Sequence, residues 1–78
     1  MAIWVNLKDQ TVHFPLEHDG QPVRGKVSWR ALEEKCGCID LHEAGLVHAF
    51  LAQEARIRVV ALRRLRSGAE PVVKREDL

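Results

Sequence analysis

Aliphatic and polar residues alternate along the first third of the chain. Aliphatic side chains stand at every second position of residues 3–7, and after a polar turn at 8–10 the alternation resumes at Val12, Phe14 and Leu16. A period of two with β-branched and aromatic members is typical of strands that bury one face. This stretch therefore predicts two strands joined by a turn.

A second hairpin follows the first. Asp19-Gly20 supplies residues that adopt the left-handed conformation of a tight turn, and Val23, Gly25 and Val27 then share one face. Pro15 lacks a backbone N–H, so we expect its strand to lie at a sheet edge there or to turn that site toward solvent. The N-terminal part of the chain is thus predicted to be a β-meander.

Helical spacing begins after the meander. Ser28 is a good N-cap, and Gly37 is placed to end a helix in a left-handed turn, which predicts a short helix over residues 29–36. Asp40 predicts the start of the next helix, because Glu43 follows three residues later as a capping-box partner. These caps give the helical part of the chain two separate starts.

The apolar positions beyond Asp40 fit either one long helix or two helices that meet at an angle. On a helical wheel six apolar residues fall on one side, as a single helix requires, but Glu54 and Arg58 fall in the middle of that side. Either this pair bonds across one turn at the edge of the core, or the helix breaks near residues 53–56. The break is favoured, because two charges inside a small core are costly. The six apolar residues are Val47, Phe50, Leu51, Ile57, Ala61 and Leu65.

The last helix is predicted to end at Ser67-Gly68, and Pro71 then opens the β-prone run 72–74. A chain that crosses from a helix back to the sheet builds two layers. The sequence therefore predicts an α+β fold in which a small antiparallel sheet, an N-terminal meander with a short C-terminal strand added, packs against two or three α-helices. Because a chain of this length is too short for a second core, residues 1–78 are predicted to form one domain.

A series of core and turn positions runs along nearly the whole chain, in the order Val12-x-Phe14, Gly20, Val23 to Val27-Ser28, Leu32, Gly37, Ala49-Phe50, Ile57, Ala61 and a closing VVKREDL. This order resembles the short proteobacterial proteins grouped as the domain of unknown function family 1488. The resemblance implies a compact α+β domain with a small antiparallel sheet against helices, and it brings no catalytic or ligand residues. Gly25 departs from the family, in which a cysteine or another small side chain is frequent. This departure predicts a bulge or a close backbone contact in the strand.

Composition limits the classes of protein to consider. Apolar residues make up 46% and charged residues 29% of the chain, as in an ordinary soluble globular protein. The longest apolar run, residues 44–52, is far shorter than the roughly 20 residues that a membrane span needs, and the first ten residues lack the features of a signal peptide. The two cysteines are expected as thiols. A cytoplasmic location without membrane contact is therefore expected.

Cys36-Gly37-Cys38, with His42 and His48, is the one cluster of soft metal ligands in the sequence. The spacing C-x-C followed by C-x₃-H matches the common zinc sites poorly, and Cys36 belongs to the apolar side of the first helix, where a free cysteine acts as a small hydrophobic residue. No nucleophile or glycine-rich phosphate loop accompanies the histidines. We therefore expect no metal, no cofactor and no catalytic residues, and an enzyme is the least supported class.

Arginines concentrate in the last helix. The net charge of the chain is only +1, but residues 55–75 carry seven cations against Glu70 alone. On a helix, four of the arginines span an arc of about 160° opposite the apolar side. Such a stripe suits phosphates or an acidic partner, but it is also what the solvated edge of a packed helix looks like when arginines pair with neighbouring glutamates. The arginine stripe comprises Arg56, Arg63, Arg64 and Arg66.

Val59 and Val60 lie toward the arginine stripe rather than toward the core side of the helix. Branched apolar residues bordered by arginine have the composition of a protein interface, where arginine is enriched and lysine depleted. The sequence therefore predicts a small non-catalytic interaction module that binds a protein partner or a second copy of itself. The alternative is a nucleic-acid-binding accessory protein that uses the arginine stripe.

Overall fold

The computed structural model describes residues 3–78. Residues 1 and 2 of the domain predicted over residues 1–78 therefore lie outside the described part. The described residues form a four-stranded sheet with helices packed on one face, which confirms the α+β fold. None of these helices has the length and apolar character that crossing a membrane requires. The strands are β1 (Trp4–Asn6), β2 (Thr11–His18), β3 (Gln21–Ser28) and β4 (Val72–Val73), and the helices are α1 (Trp29–Lys35), α2 (Glu43–Ala52) and α3 (Glu54–Arg66), followed by a 3₁₀ turn over Arg75–Asp77.

The sheet is mixed, with its strands in the order β1-β2-β3-β4. The first three strands form the predicted antiparallel meander. The predicted C-terminal strand is present as well, but it runs parallel to β3, with Val73 opposite Val27. Parallel pairing follows from the connection, because the three helices carry the chain back to the end of the sheet from which β3 started.

Residues with left-handed backbone conformation close the turns. Gln10 (φ 55°) ends the first hairpin loop, and Asp19 (φ 53°) and Gly20 (φ 77°) form the second. Positive φ at both central positions gives a turn whose twist matches that of the flanking strands. Gly37 (φ 69°) follows α1. The turns predicted at Asp19-Gly20 and at Gly37 are therefore confirmed.

One of the two predicted helix starts is right and the other is wrong. Ser28 caps α1, since its hydroxyl accepts a hydrogen bond from the Ala31 N–H at 3.0 Å. Helix α2 begins at Glu43 and not at Asp40. The Asp40 carboxylate instead accepts a hydrogen bond from the His42 N–H at 3.0 Å. A local bond of this kind competes with helix formation, so the predicted capping box does not form.

The predicted break between α2 and α3 is confirmed, because Gln53 separates the two helices. The alternative bond across one turn forms as well. Arg58 lies at the edge of the core, where its Nε donates to Glu54 Oε2 at 2.8 Å and its Nη1 donates to the carbonyl of Pro15. The guanidinium also lies over the Phe14 ring, 5.6 Å from the centroid. Within the described residues no strand pairs with Pro15 on that side, as expected for a proline at a sheet edge.

Within residues 3–78, a single cluster of buried side chains lies between the sheet and the helices. Ile57 and Ala61 of α3 are fully buried, and Leu65 packs against the cluster. The inward side predicted for the last helix is therefore confirmed. The buried apolar residues of the cluster are Val12, Phe14, Leu16, Val27, Ala31, Leu32, Cys38, Leu46, Ala49, Phe50, Ile57, Ala61 and Val73.

Gly25 lies opposite Phe14 in a regular β2–β3 register, so the strand has no bulge at this position. A Cβ atom at Gly25 would lie only 2.6 Å from Cζ of Phe14. The aromatic ring therefore packs directly on the glycine backbone. Of the two features that the sequence predicted here, the close contact is the one that forms.

Alternation along the strands gives the sheet two different faces. Val5, Val12, Val27 and Val73 align across the four strands and face the helices. Their neighbours point to the other side, where no helix of the described chain lies. We call this second side the open sheet face. It carries Trp4, Asn6, Thr11, His13, Pro15, Glu17, Pro22, Arg24, Lys26 and Val72.

Candidate functional site

The structure brings together three members of the arginine stripe. Arg56, Arg63 and Arg66 are exposed on one side of α3, about 10 Å and about 5 Å apart along the helix axis. The arginine ion pairs within residues 3–78 involve Arg30, Arg58, Arg64 and Arg75. The three exposed arginines therefore carry charges that the described chain does not neutralise.

Arg64, unlike the other three arginines of the stripe, is bonded to the C-terminal segment. Its Nη1 donates to Asp77 Oδ1 at 3.3 Å, and its Nε donates to the carbonyl of Glu70 at 3.3 Å. Both partners follow α3 in the chain. Arg64 therefore fixes the C-terminal segment against α3, and its charge is not available to a partner in the way that the sequence suggested.

The two valines predicted as an interface are separated. Val59 is 53% exposed between the arginines, whereas Val60 is half-buried and packs against the core. Leu51, at the end of α2, is 51% exposed, although a single-helix wheel placed it on the core side. A shallow depression at the α2–α3 junction brings Leu51 beside Ala55. We call the surface formed by Leu51, Ala55, Arg56, Val59, Arg63 and Arg66 the α3 outer face.

A second group of residues lies on the open sheet face. The rings of Trp4 and His13 are stacked, with centroids 4.0 Å apart and planes inclined by 24°. The guanidinium of Arg24 lies over the Trp4 ring, 5.3 Å from its centroid. An open cleft of about 640 Å³ is lined by these three side chains together with residues such as Pro15 and Pro22. We call this arrangement the Trp4 cleft.

Sequence reasoning missed the Trp4 cleft. Alternation alone shows that Trp4 is out of phase with Val5 and that His13 is out of phase with Val12, so both side chains were candidates for a face opposite the core. Their contact also requires the register of β1 on β2, and the approach of Arg24 requires the register of β3. No local pattern in the sequence specifies either register at this level of detail.

His13 is the buried polar group of the cleft. It is 3% exposed, and neither ring nitrogen has a hydrogen-bond partner within the described chain. Asp9 Oδ2 lies 3.8 Å from its Nε2 and also 3.8 Å from Lys26 Nζ. Burial lowers the pKa of His13, because desolvation disfavours the charged imidazolium, and the nearby Asp9 carboxylate opposes this effect only in part.

Acidification is expected to destabilise the protein through His13. Its pKa in the folded state lies below the usual 6.5, so between these two values the unfolded chain binds more protons than the folded one, and the free energy of unfolding falls as the pH falls. The variant His13→Phe keeps a ring beneath Trp4 and should lose this part of the pH dependence, whereas His48→Gln, at an exposed histidine, should keep it. Urea unfolding between about pH 7.5 and about pH 5 measures the effect. Parallel pH profiles for His13→Phe and the wild type would contradict it.

The cysteine cluster holds a loop in place. Cys38 is buried, and its Sγ donates to the carbonyls of Asp40 at 3.1 Å and Gly45 at 3.6 Å. Burial raises the pKa of the Cys36 thiol, which keeps it in the less reactive protonated form. Both cysteines are free. Within residues 3–78 no group of three or more histidine, cysteine, aspartate or glutamate side chains is arranged to hold a metal ion.

The two surfaces that carry unpaired arginines, the α3 outer face and the Trp4 cleft, are thus the candidate sites of this protein. They lie on opposite layers of the fold, one on the helices and the other on the open sheet face. The resemblance of the chain to the family 1488 proteins stays a prediction, since comparisons with protein-family models, with curated proteins and with solved structures found no match.

Proposed function

We propose that this protein is a small non-catalytic interaction module of the cytoplasm that binds an acidic partner protein through the α3 outer face. The observation that carries the proposal is the exposure of Arg56, Arg63 and Arg66 on one helical side, without a carboxylate partner among residues 3–78. Guanidinium groups bind carboxylates through paired, charge-assisted hydrogen bonds. A partner that presents carboxylates at matching spacing would neutralise all three charges.

The apolar residues of the same surface favour a protein as the partner. Val59 is 53% exposed and lies between the arginines, and Leu51 is 51% exposed at the adjoining end of α2. Protein interfaces combine an apolar centre with a polar rim and are enriched in arginine. Helix α3 carries no aromatic side chain, so this face offers no stacking surface to the bases of a nucleic acid.

A second copy of the chain is the other protein partner to consider. A two-fold axis through the α3 outer face would set Arg56 and Arg63 of one copy against the same arginines of the other, and facing like charges are destabilising. Salt screens such repulsion, so self-association through this face should strengthen with salt, whereas binding of an acidic partner should weaken. Sedimentation velocity at about 0.05 M and about 0.5 M salt measures whether self-association strengthens, and so distinguishes a second copy from an acidic partner.

Reversing two charges on the α3 outer face is expected to weaken binding of an acidic peptide by about tenfold, because each exposed charge pair contributes up to about 1 kcal/mol. The variant is Arg56→Glu with Arg63→Glu, and the matched control is Lys8→Glu with Lys35→Glu, which changes the net charge equally at two exposed lysines elsewhere. Fluorescence anisotropy with two labelled helical peptides, identical except for glutamate or glutamine on the polar face, measures the affinity. Equal binding of both peptides, or equal losses in both variants, would show that the α3 outer face does not recognise carboxylates.

Nucleic acid is the second candidate partner, and the same three arginines favour it. Phosphate contacts release counterions, so the logarithm of the binding constant for duplex DNA should fall with the logarithm of the salt concentration by about 0.9 per contact. A mobility-shift assay with mixed RNA and DNA at low salt tests this candidate. The absence of a retarded band, or a band that persists in the Arg56→Glu, Arg63→Glu variant, would exclude this face as a nucleic-acid site.

A further inference from the structure

We propose that the Trp4 cleft binds an unpaired nucleotide of a single-stranded nucleic acid, with its base stacked on Trp4 and its phosphate paired with Arg24. This site lies on the open sheet face and is separate from the α3 outer face, which lies on the opposite layer. Each surface can therefore be occupied without blocking the other.

The ring of Trp4 provides a supported stacking surface. It is 37% exposed, and the His13 ring lies parallel to it at a centroid distance of 4.0 Å. His13 in turn is fixed in the middle of the sheet, since its strand is paired on both sides at that residue. A tryptophan held flat in this way can stack on any base, because every base has a π-face.

The charge beside the ring suits a phosphate. Among the described residues that line the cleft, Arg24 is the one that carries a full charge, and the described carboxylates form no ion pair with it. Lys26 follows on the same face, although its charge is partly met by Asp9 at 3.8 Å. A cation over an aromatic ring is complementary to a nucleotide, in which a flat base is joined to an anionic group.

The buried histidine gives the second, independent indication of a ligand. His13 lines the cleft and is 3% exposed, yet neither of its ring nitrogens has a hydrogen-bond partner in the part of the chain that the structure describes. A buried donor or acceptor that lacks a partner is costly. A base on the outer side of Trp4 does not reach the histidine beneath that ring, so the group that can satisfy it is a polar atom of the ligand that enters the cleft beside Trp4, such as a sugar hydroxyl or a phosphate oxygen.

Two other occupants fit the cleft less well. A free nucleotide would be held by one arginine in an open cleft, without the glycine-rich loop that cradles phosphates in nucleotide-binding proteins, whereas a strand adds further phosphates within reach of Lys26. An acidic peptide would pair with Arg24 but has no flat ring to place on Trp4. The combination of ring, cation and unpaired histidine therefore points to a strand.

The test uses the fluorescence of Trp4 in the full chain. The sequence has two tryptophans, Trp4 and Trp29, so a Trp29→Phe background leaves Trp4 as the single reporter. Removing the Trp29 Nε1–H breaks no hydrogen bond, because this atom has no partner in the described chain. Short single strands of thymidylate and adenylate, thymidine monophosphate, a DNA duplex and a glutamate-rich peptide are the probes. Circular dichroism confirms that each variant is folded.

We expect saturable quenching of Trp4 fluorescence by the single strands, at concentrations that leave the duplex and the peptide without effect. Arg24→Gln should weaken this binding about tenfold or more, since it removes the cation beside the stacked base, while Lys35→Gln, at an exposed lysine of α1 outside both candidate sites, should leave it unchanged. The proposal is overturned by the absence of saturable quenching, by full binding in Arg24→Gln, or by equal quenching with the glutamate-rich peptide. If thymidine monophosphate bound with the same affinity as the single strands, the proposal of a strand would be overturned and the cleft would be assigned to a free nucleotide.

Discussion

Replacing Phe50 by alanine is expected to remove about a quarter or more of the stability of this protein. Phe50 is fully buried, and its ring packs against Phe14 with centroids 5.0 Å apart. Deleting an aromatic side chain from a core costs about 3–5 kcal/mol. At about 0.05–0.15 kcal/mol per residue, a chain of this length has a free energy of unfolding of roughly 4–12 kcal/mol. The loss is therefore large in proportion to the total.

Neighbouring side chains of the core cannot fill the cavity that Phe50→Ala would leave. Phe14 packs on the backbone of Gly25, which brings no side chain that could refill the space. The neighbouring variant Leu51→Ala is the matched control, because Leu51 is 51% exposed, and it should change the stability by about 0.5 kcal/mol or less. Urea unfolding followed by circular dichroism measures both variants. Similar shifts of the two midpoints would mean that the core does not lie where the structure places it.

Phe50 and Leu51 also show how far the sequence predicts the packing of the helices. Both residues fall on the apolar side of a single helix, but the chain breaks at Gln53, and each helix then orients its own apolar side. On α2 the buried positions are Leu46, Ala49 and Phe50. A helical wheel locates an apolar side only within one continuous helix, so Leu51 could not be placed without knowing how α2 meets α3.

The elements that the sequence predicts well depend on a few neighbouring residues. Asp19-Gly20 forms its turn from its own backbone preferences, and Ser28 caps α1 with an N–H only three residues away. Asp40 failed as a cap for the same local reason, because its carboxylate has a nearer N–H at His42. Where two short-range bonds compete, the pattern of residue types does not decide between them.

The candidate sites depend on contacts between distant parts of the chain. Arg64 is removed from the arginine stripe by Asp77, which returns to α3 only because β4 pairs with β3. The Trp4 cleft needs the register of three strands before Trp4, His13 and Arg24 meet. Helical spacing therefore indicates which arginines share a side, but the tertiary fold decides which of them keep a free charge.

Replacing Gly45 by alanine is expected to destabilise the protein by about 1–3 kcal/mol, although alanine is the better helix former by about 1 kcal/mol. A Cβ atom at this position would overlap the backbone carbonyl oxygen of Asp40 and would lie 2.7 Å from the Asp40 Cβ. The loop before α2 would have to move away as a unit. Cys38, whose Sγ donates to the carbonyls of both Asp40 and Gly45, would lose this arrangement.

Two measurements test the substitution at Gly45. Urea unfolding gives the change in stability, and the rate at which a thiol reagent labels Cys38, in a Cys36→Ser background, reports on the loop. Cys38 is 6% exposed, so labelling should be slow in the wild type and faster in Gly45→Ala. Ala44→Gly, at the exposed neighbouring position, should cost about 0.5–1 kcal/mol through helix propensity and leave the labelling rate unchanged. A Gly45→Ala protein that is more stable than the wild type, with Cys38 still protected, would show that the loop does not rest on α2.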